Sequence, residues 1–209
     1  DGTIVPVEKV KKGHLLIGPD SKPRTVLSIS RGTDQLYRIT PVKGDSYVVN
    51  SEHILSLKVY NETTGISDLV NISVKDYLLK NKWFKQRAKG WRSQVEWKYR
   101  EIPLPPYFLG LWLGDGSCDG PTIHNPDVEV INYLQILAAK LNMRLAGPGK
   151  QHKGCPYWRI TNGKTGGKEN PVMGHLRSLG LGEKENKFIP DLYKVNSRRV
   201  RLELLAGLL

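Results

Sequence analysis

Tyr107-Phe108-Leu109-Gly110-Leu111-Trp112-Leu113-Gly114-Asp115-Gly116 is the stretch on which the reading of this chain turns. It is an apolar run with small residues inside it, far shorter than the ~20 residues of a membrane span, and it predicts a helix. Proline costs no hydrogen bond in the first turn, which places the helix start at about Pro106. Gly110 and Gly114 share one helical face, where a second backbone can come close. Asp115 falls at the end of that helix. A second run, Leu204-Leu205-Ala206-Gly207-Leu208-Leu209, again sets small residues inside an apolar segment, and Val200 to Leu209 is predicted to be helical.

Composition narrows the partners. The chain has 209 residues and carries 32 Lys+Arg against 20 Asp+Glu, a formal net charge of +12. That balance favours a polyanion, nucleic acid before membrane. The apolar share is that of a folded chain. Cys118 and Cys155 make neither a disulfide framework nor a C-x-x-C metal spacing, which fits reduced thiols in an intracellular protein, nuclear or cytoplasmic. No secretory signal or membrane span is read. Asp1 in place of Met, and an apolar helix still running at Leu209, suggest a piece of a larger polypeptide.

The first sixty residues read as short strands and turns. Thr3 to Val10 alternates loosely, and Leu15-Leu16-Ile17 precedes the turn cluster Gly18 to Pro23. Arg24 to Ser30, Gln35 to Pro41, Ser46 to Asn50 and Ile54 to Tyr60 are further candidate strands, a pattern that predicts an all-β module. Val74 to Asn81 is a candidate short helix. Lys82 to Arg100 is basic and aromatic, and Pro103, Pro105 and Pro106 mark a boundary. Beyond it the pattern is α/β. Thr122-Ile123-His124 is a candidate strand, and Asn125 or Asp127 can cap the helix carrying Val130, Ile131, Leu134, Leu137, Ala138 and Leu141. Met143 to Ala146 and Trp158 to Thr161 are strands. Met173 to Leu179 is a helix closed by Gly180.

The segment Phe108 to Gly116, with the second run from Leu205, resembles the LAGLIDADG (DOD-type) motif of homing endonucleases. In that family two motif helices pack together and bring an acid from each to a DNA-cutting centre. Thr122 to Leu141 resembles the strand and helix after the first motif. Asn186-Lys187-Phe188-Ile189-Pro190 resembles the approach to the second. The resemblance covers roughly 103–209 and implies Asp115 as catalytic acid and metal ligand, with Gly114 beside it. The second acid falls beyond Leu209. The chemistry is consistent: carboxylate-held Mg²⁺ can activate water and stabilise a leaving oxygen. A carboxylate at a helix C-terminus also faces the negative end of the macrodipole, a repulsion that a cation relieves.

The N-terminal third resembles the Hint splicing domain of inteins. The matching segments are Asp1 to Val10, Gly13 to Asp20, Pro23 to Val26 and Tyr47 to Leu57. The last is similar to the family's T-x-x-H segment, with Asn50 in place of Thr and His53 as its histidine. The resemblance implies that His53, with Asn50, assists the first acyl shift by protonating or polarising the scissile amide, since an amide is a poor leaving group. The family's N-terminal nucleophile and terminal His-Asn pair are not in this sequence, and Cys118 and Cys155 stand in the wrong region to replace them. His14, His124, His152 and His175 lack such a context.

The expected organisation is therefore a mixed fold: an all-β Hint-like part at 1–75, a basic aromatic connector at 76–102, and the first half of an α/β LAGLIDADG domain at 103–209. The spacing resembles large inteins of DNA-virus and fungal proteins. The expected activities of the intact protein are self-splicing and site-specific double-strand cleavage with Mg²⁺, and splicing needs no cofactor. The partners implied are double-stranded DNA and the flanking host protein. Lys82, Lys85, Arg87, Lys89 and Arg92 in the connector are candidate DNA contacts, as are Lys150, Lys153, Arg159 and Lys164 near strand ends, because basic and aromatic side chains suit phosphate, sugar and base. Two alternatives are a LAGLIDADG-type DNA-binding protein that does not cut, and a Hint autoprocessing domain with a degenerate nuclease. The missing second acid separates the first from a cutting enzyme.

Overall fold

The computed structural model describes residues 2–118, 120–150, 154–163, 170–182 and 186–209. It is mixed α/β with several small antiparallel sheets, and it divides into two units at Val95/Glu96.

The N-terminal unit, Ile4–Val95, begins with two hairpins. β1 (Leu15–Ile17) pairs with β2 (Pro23–Thr25), and β3 (Leu36–Ile39) pairs with β4 (Tyr47–Asn50). The loosely alternating Thr3 to Val10 forms no strand; it holds a 3₁₀ turn at Val7–Lys9, where Pro6 accepts from the Lys9 amide at 2.9 Å. A longer hairpin follows, β5 (Ile54–Asn61) with β6 (Ile66–Ser73), turning through Gly65 at φ 68°. Only glycine takes that backbone cheaply. Period two sends Leu55 and Leu57 to one face, where they meet Ile72 and Val74 in a small core.

Two short helices close this unit. α1 (Val74–Leu79) is capped by Ser73, whose hydroxyl accepts from the Asp76 amide at 3.2 Å. α2 (Lys82–Arg87) is capped by Asn81, which accepts from the Phe84 amide at 2.9 Å. β7 (Ala88–Gly90) then adds to the free side of β5, giving the order β6-β5-β7. The basic segment up to Val95 is thus folded into the N-terminal unit rather than running loose.

The second unit holds Glu96–Leu209 and residues 2–3. Its elements are α3 (Pro106–Asp115), β8 (Gly116–Ser117), β9 (Thr122–His124), α4 (Val128–Lys140), β10 (Arg144–Lys150), β11 (Pro156–Thr161), α5 (Pro171–Ser178), α6 (Asp191–Lys194) and α7 (Arg198–Leu208). The strands form one antiparallel sheet in the order β10-β11-β9-β8. α3 is the spine of the core: Phe108, Leu109 and Trp112 are fully buried, together with Ile123 from β9, Leu134 from α4, Ile160 from β11 and Leu176 from α5. Asn170 ties α5 to the sheet, donating to the Ile160 carbonyl at 2.8 Å and accepting from the Val172 amide at 3.0 Å. α5 ends as its sequence predicts. Gly180 takes φ 77°, and the Leu181 amide returns to the Leu176 carbonyl at 2.9 Å.

Two buried polar side chains lock the approach to α3 onto α6 and the start of α7. Tyr193 donates its hydroxyl to the Leu104 carbonyl at 2.8 Å and accepts from the Leu104 amide at 3.2 Å. Asn196 donates to the carbonyls of Arg100 and Leu192, and accepts from the amides of Arg100 and Ser197. Burial pushes the Tyr193 phenol up to about 12. Among the described residues no helix is long and apolar enough to cross a membrane.

Candidate functional site

α3 and α7 cross in direct backbone contact. A Cβ on Gly110 would overlap the Leu204 carbonyl oxygen and stand 2.9 Å from the Gly207 Cα. A Cβ on Gly207 would overlap the Tyr107 carbonyl oxygen and stand 2.9 Å from the Leu111 amide nitrogen. The contact is reciprocal: each helix places its glycine against the other's backbone. Gly114 lies beyond the crossing, its nearest neighbour there the Leu208 carbonyl oxygen at 3.6 Å from the position of a Cβ. Sequence spacing singled out Gly110 and Gly114 as a pair, whereas the contact itself is built by Gly110 and Gly207.

The crossing fixes the end of α3. Asp115 is its last residue and its carboxylate is exposed. Asn125, just after β9, donates to Asp115 Oδ2 at 3.2 Å and accepts from the Asp127 amide at 2.8 Å, so the acid is held against the sheet. Gly116 and Ser117 form β8 immediately afterwards, pairing with Ile123 and Thr122. Next to this, Ser117 Oγ and His124 Nε2 are 2.8 Å apart.

Lys187, from the segment Asn186 to Pro190, reaches the end of α3. Its ammonium donates to the carbonyls of Trp112 at 2.9 Å, Leu113 at 3.3 Å and Gly116 at 2.6 Å, and lies 5.1 Å from the centre of the Trp112 ring. It therefore caps the C-terminus of α3, the position where a cation best meets the macrodipole. Burial lowers its pKa from the usual lysine value, opposed by the charges of Cys118 and Asp115. A carboxylate at a helix C-terminus calls for a nearby cation, and the fold supplies a resident one in Lys187. Only the segment Asn186 to Pro190 could have signalled this, and nothing local shows that it returns to α3.

For a divalent metal, the donors that the chain offers here are the Asp115 carboxylate and the Gly114 carbonyl, which Lys187 does not take. They suit a hard cation such as Mg²⁺, which binds through one or two carboxylates plus water and phosphate oxygens. Among the described residues no group of three or more His, Cys, Asp or Glu side chains gathers at one place. One carboxylate and one backbone carbonyl are fewer protein donors than a closed cation cage would need.

In the N-terminal unit, Asn50 ends β4 and His53 precedes β5, and the turn between them joins the two. The Asn50 carbonyl accepts from the His53 amide at 3.3 Å, and the His53 carbonyl accepts from the Val74 amide at 3.0 Å. Asp34 pins the turn, accepting from the Ser51 hydroxyl at 2.7 Å and its amide at 3.1 Å. Those bonds, the hydroxyl foremost and then the Gln35 amide, hold the Asp34 carboxyl below the usual carboxylate range. The His53 side chain is exposed on this turn.

The basic candidates separate by structure. Lys85 is committed inward, donating to the Leu78 carbonyl at 2.7 Å beside the Tyr77 ring. Arg87 pairs with Glu62 and lies over Trp83. Lys82 is exposed at the start of α2. Lys89 lies on β7, and Arg92 follows it, donating to the Lys43 carbonyl at 3.4 Å. Arg87, Lys89 and Arg92 come together around one cleft, joined by Lys58, which the sequence reading did not select. In the second unit Arg159 is exposed on β11, its guanidinium packed on Gly120. Lys150 is described in its backbone alone, at the end of β10. Lys153 and Lys164 lie outside the described residues.

No family model matches this chain. It is similar to the replicative DNA helicase DnaB of Mycobacterium intracellulare, with 34% identity over 111 residues. The similarity covers 53% of this chain and only 14% of the helicase.

Proposed function

We propose that the chain is part of an intein, a Hint-type splicing element carrying a LAGLIDADG homing endonuclease, in which Asp115 is one acid of a DNA-cutting centre. The observation that carries this is the glycine-to-glycine crossing of α3 and α7 with an acid at the end of α3. Such close approach is costly to build for packing alone, since glycine weakens a helix by about 1 kcal/mol relative to alanine. It serves a site that needs two helix ends side by side. A match confined to 14% of a replicative helicase is the footprint expected of an insertion within a larger protein. The net charge of +12 suits the DNA partner.

In this reading Asp115 and the Gly114 carbonyl hold the divalent ion, with a second acid from another part of the intact protein. The ion, when bound, supplies the activated water and stabilises the leaving oxygen. Asn125 orients the Asp115 carboxylate, and Lys187 keeps positive charge at the helix end, where a phosphate would also be welcome. His53, on its pinned turn, polarises the scissile amide for the first acyl shift. The test is Asp115→Asn in the intact protein with Mg²⁺: cutting of the target duplex is lost while DNA binding persists. Parental cleavage rates in that variant would refute the assignment.

A second reading is a DNA-binding protein of the same fold that does not cut. It shares the α3–α7 crossing and the net charge of +12 with the first reading and differs from it in the second acid. Binding to the target duplex without Mg²⁺-dependent cleavage by the intact parent protein would establish it.

A further inference from the structure

The sheet β6-β5-β7 has two faces of opposite character. Leu55, Leu57 and Val59 look into the small core, so period two puts Lys58 and Tyr60 on the other face. On that outer face Lys58 stands directly opposite Lys89 of β7, and Tyr60 stands opposite Ser67 of β6. Trp91 extends the ladder past β7, its amide donating to the Ser56 carbonyl at 3.0 Å. Lys58, Tyr60, Arg87, Lys89, Trp91 and Arg92 line one open cleft of about 350 Å³ here.

Like charges directly opposite on antiparallel strands are destabilising. Lys58 and Lys89 are such a pair, and among the described residues no carboxylate forms an ion pair with either of them or with Arg92. Arg87 alone is matched, by Glu62. The fold therefore concentrates cations on a face that it does not neutralise, beside two aromatic rings. This arrangement has the chemistry of a phosphate-backbone seat: charge for the phosphates and flat rings for sugar or base.

We infer that this outer sheet face of the N-terminal unit binds the backbone of duplex DNA, with Lys58 and Lys89 as its central phosphate contacts. The inference rests on the DNA reading above and adds to it a second surface, on the unit that does not carry Asp115. It also sorts the connector cations: Lys89 and Arg92 serve the DNA, whereas Lys85 serves the fold.

The test measures duplex binding by the whole chain at several salt concentrations. Each phosphate contact contributes about 0.9 to the slope of log affinity against log salt. The double variant Lys58→Ala/Lys89→Ala should lower that slope by about 2 and weaken binding at low salt at least tenfold. Ser67→Lys, which adds a cation to the same exposed face, should raise the slope by about 1. This gain keeps the test decisive if the double variant folds poorly. A steep parental slope that neither change moves overturns this face while leaving the DNA reading intact. Absence of salt-dependent duplex binding by the parent overturns both. Tighter binding of single strands than of duplex, equally lost in the double variant, overturns the duplex assignment.

Discussion

Gly110→Ala puts a methyl group where the backbone of α7 already stands. The added Cβ would overlap the Leu204 carbonyl oxygen and lie 2.9 Å from two Gly207 backbone atoms. No flexible side chain can turn aside, so the helices must separate along their whole contact, which loosens buried Leu111 and Leu204. Overpacking costs about 1–3 kcal/mol, and a backbone obstacle places this case at the upper end. Alanine returns about 1 kcal/mol of helix propensity. The net is a destabilisation of about 2 kcal/mol, roughly 8 °C in Tm for a unit of this size. Gly114→Ala is the matched control. Its nearest obstacle is at 3.6 Å, an ordinary contact, so it should be neutral or slightly stabilising. Urea unfolding followed by near-UV circular dichroism reads the effect, because fully buried Trp112 lies two residues from Gly110 on the same helix. Gly110→Ala at parental stability, or both variants equally destabilised, would refute the crossing.

Asn196→Ala removes four hydrogen bonds made by a fully buried side chain, so it should cost about 2–3 kcal/mol in the same urea assay. Stability should fall as pH rises from 10 towards 12, because Tyr133 and Tyr193, both pushed up to about 12 by burial, hold their protons in the folded state after the unfolded chain has lost them. Tyr193→Phe should shallow that alkaline fall, as read by urea midpoints across the range. In the intact protein, His53→Ala should slow thiol-induced N-terminal cleavage of a precursor and leave DNA cutting near normal; unchanged thiol cleavage would make His53 structural only.

The parts of the fold with strong local signals were legible. α3 announced itself through Pro106 and an unbroken apolar run, α4 through its period, and the end of α5 through Gly180. β6 was not legible, because Ile66 to Val70 alternates poorly and stays largely exposed; it is a strand because β5 offers a partner along its length. The segment Lys82 to Gly90 read as a connector because its composition is basic and aromatic. Asn81 caps it into a helix, and β5 recruits Ala88–Gly90 as an edge strand. At the site, Asp115 was visible from its motif, whereas Lys187 reaches α3 from far along the chain, a contact that no spacing rule reveals. Lys58 was hidden for another reason: only the register of β5 against β7 sets it opposite Lys89.

The most direct test of the account places the intact protein between two reporter domains and follows the precursor together with a plasmid bearing the uninterrupted host sequence. The account predicts ligated reporters, an excised protein that linearises the plasmid with Mg²⁺, and loss of linearisation alone in Asp115→Asn. A precursor that stays whole while the protein leaves the plasmid uncut would contradict it.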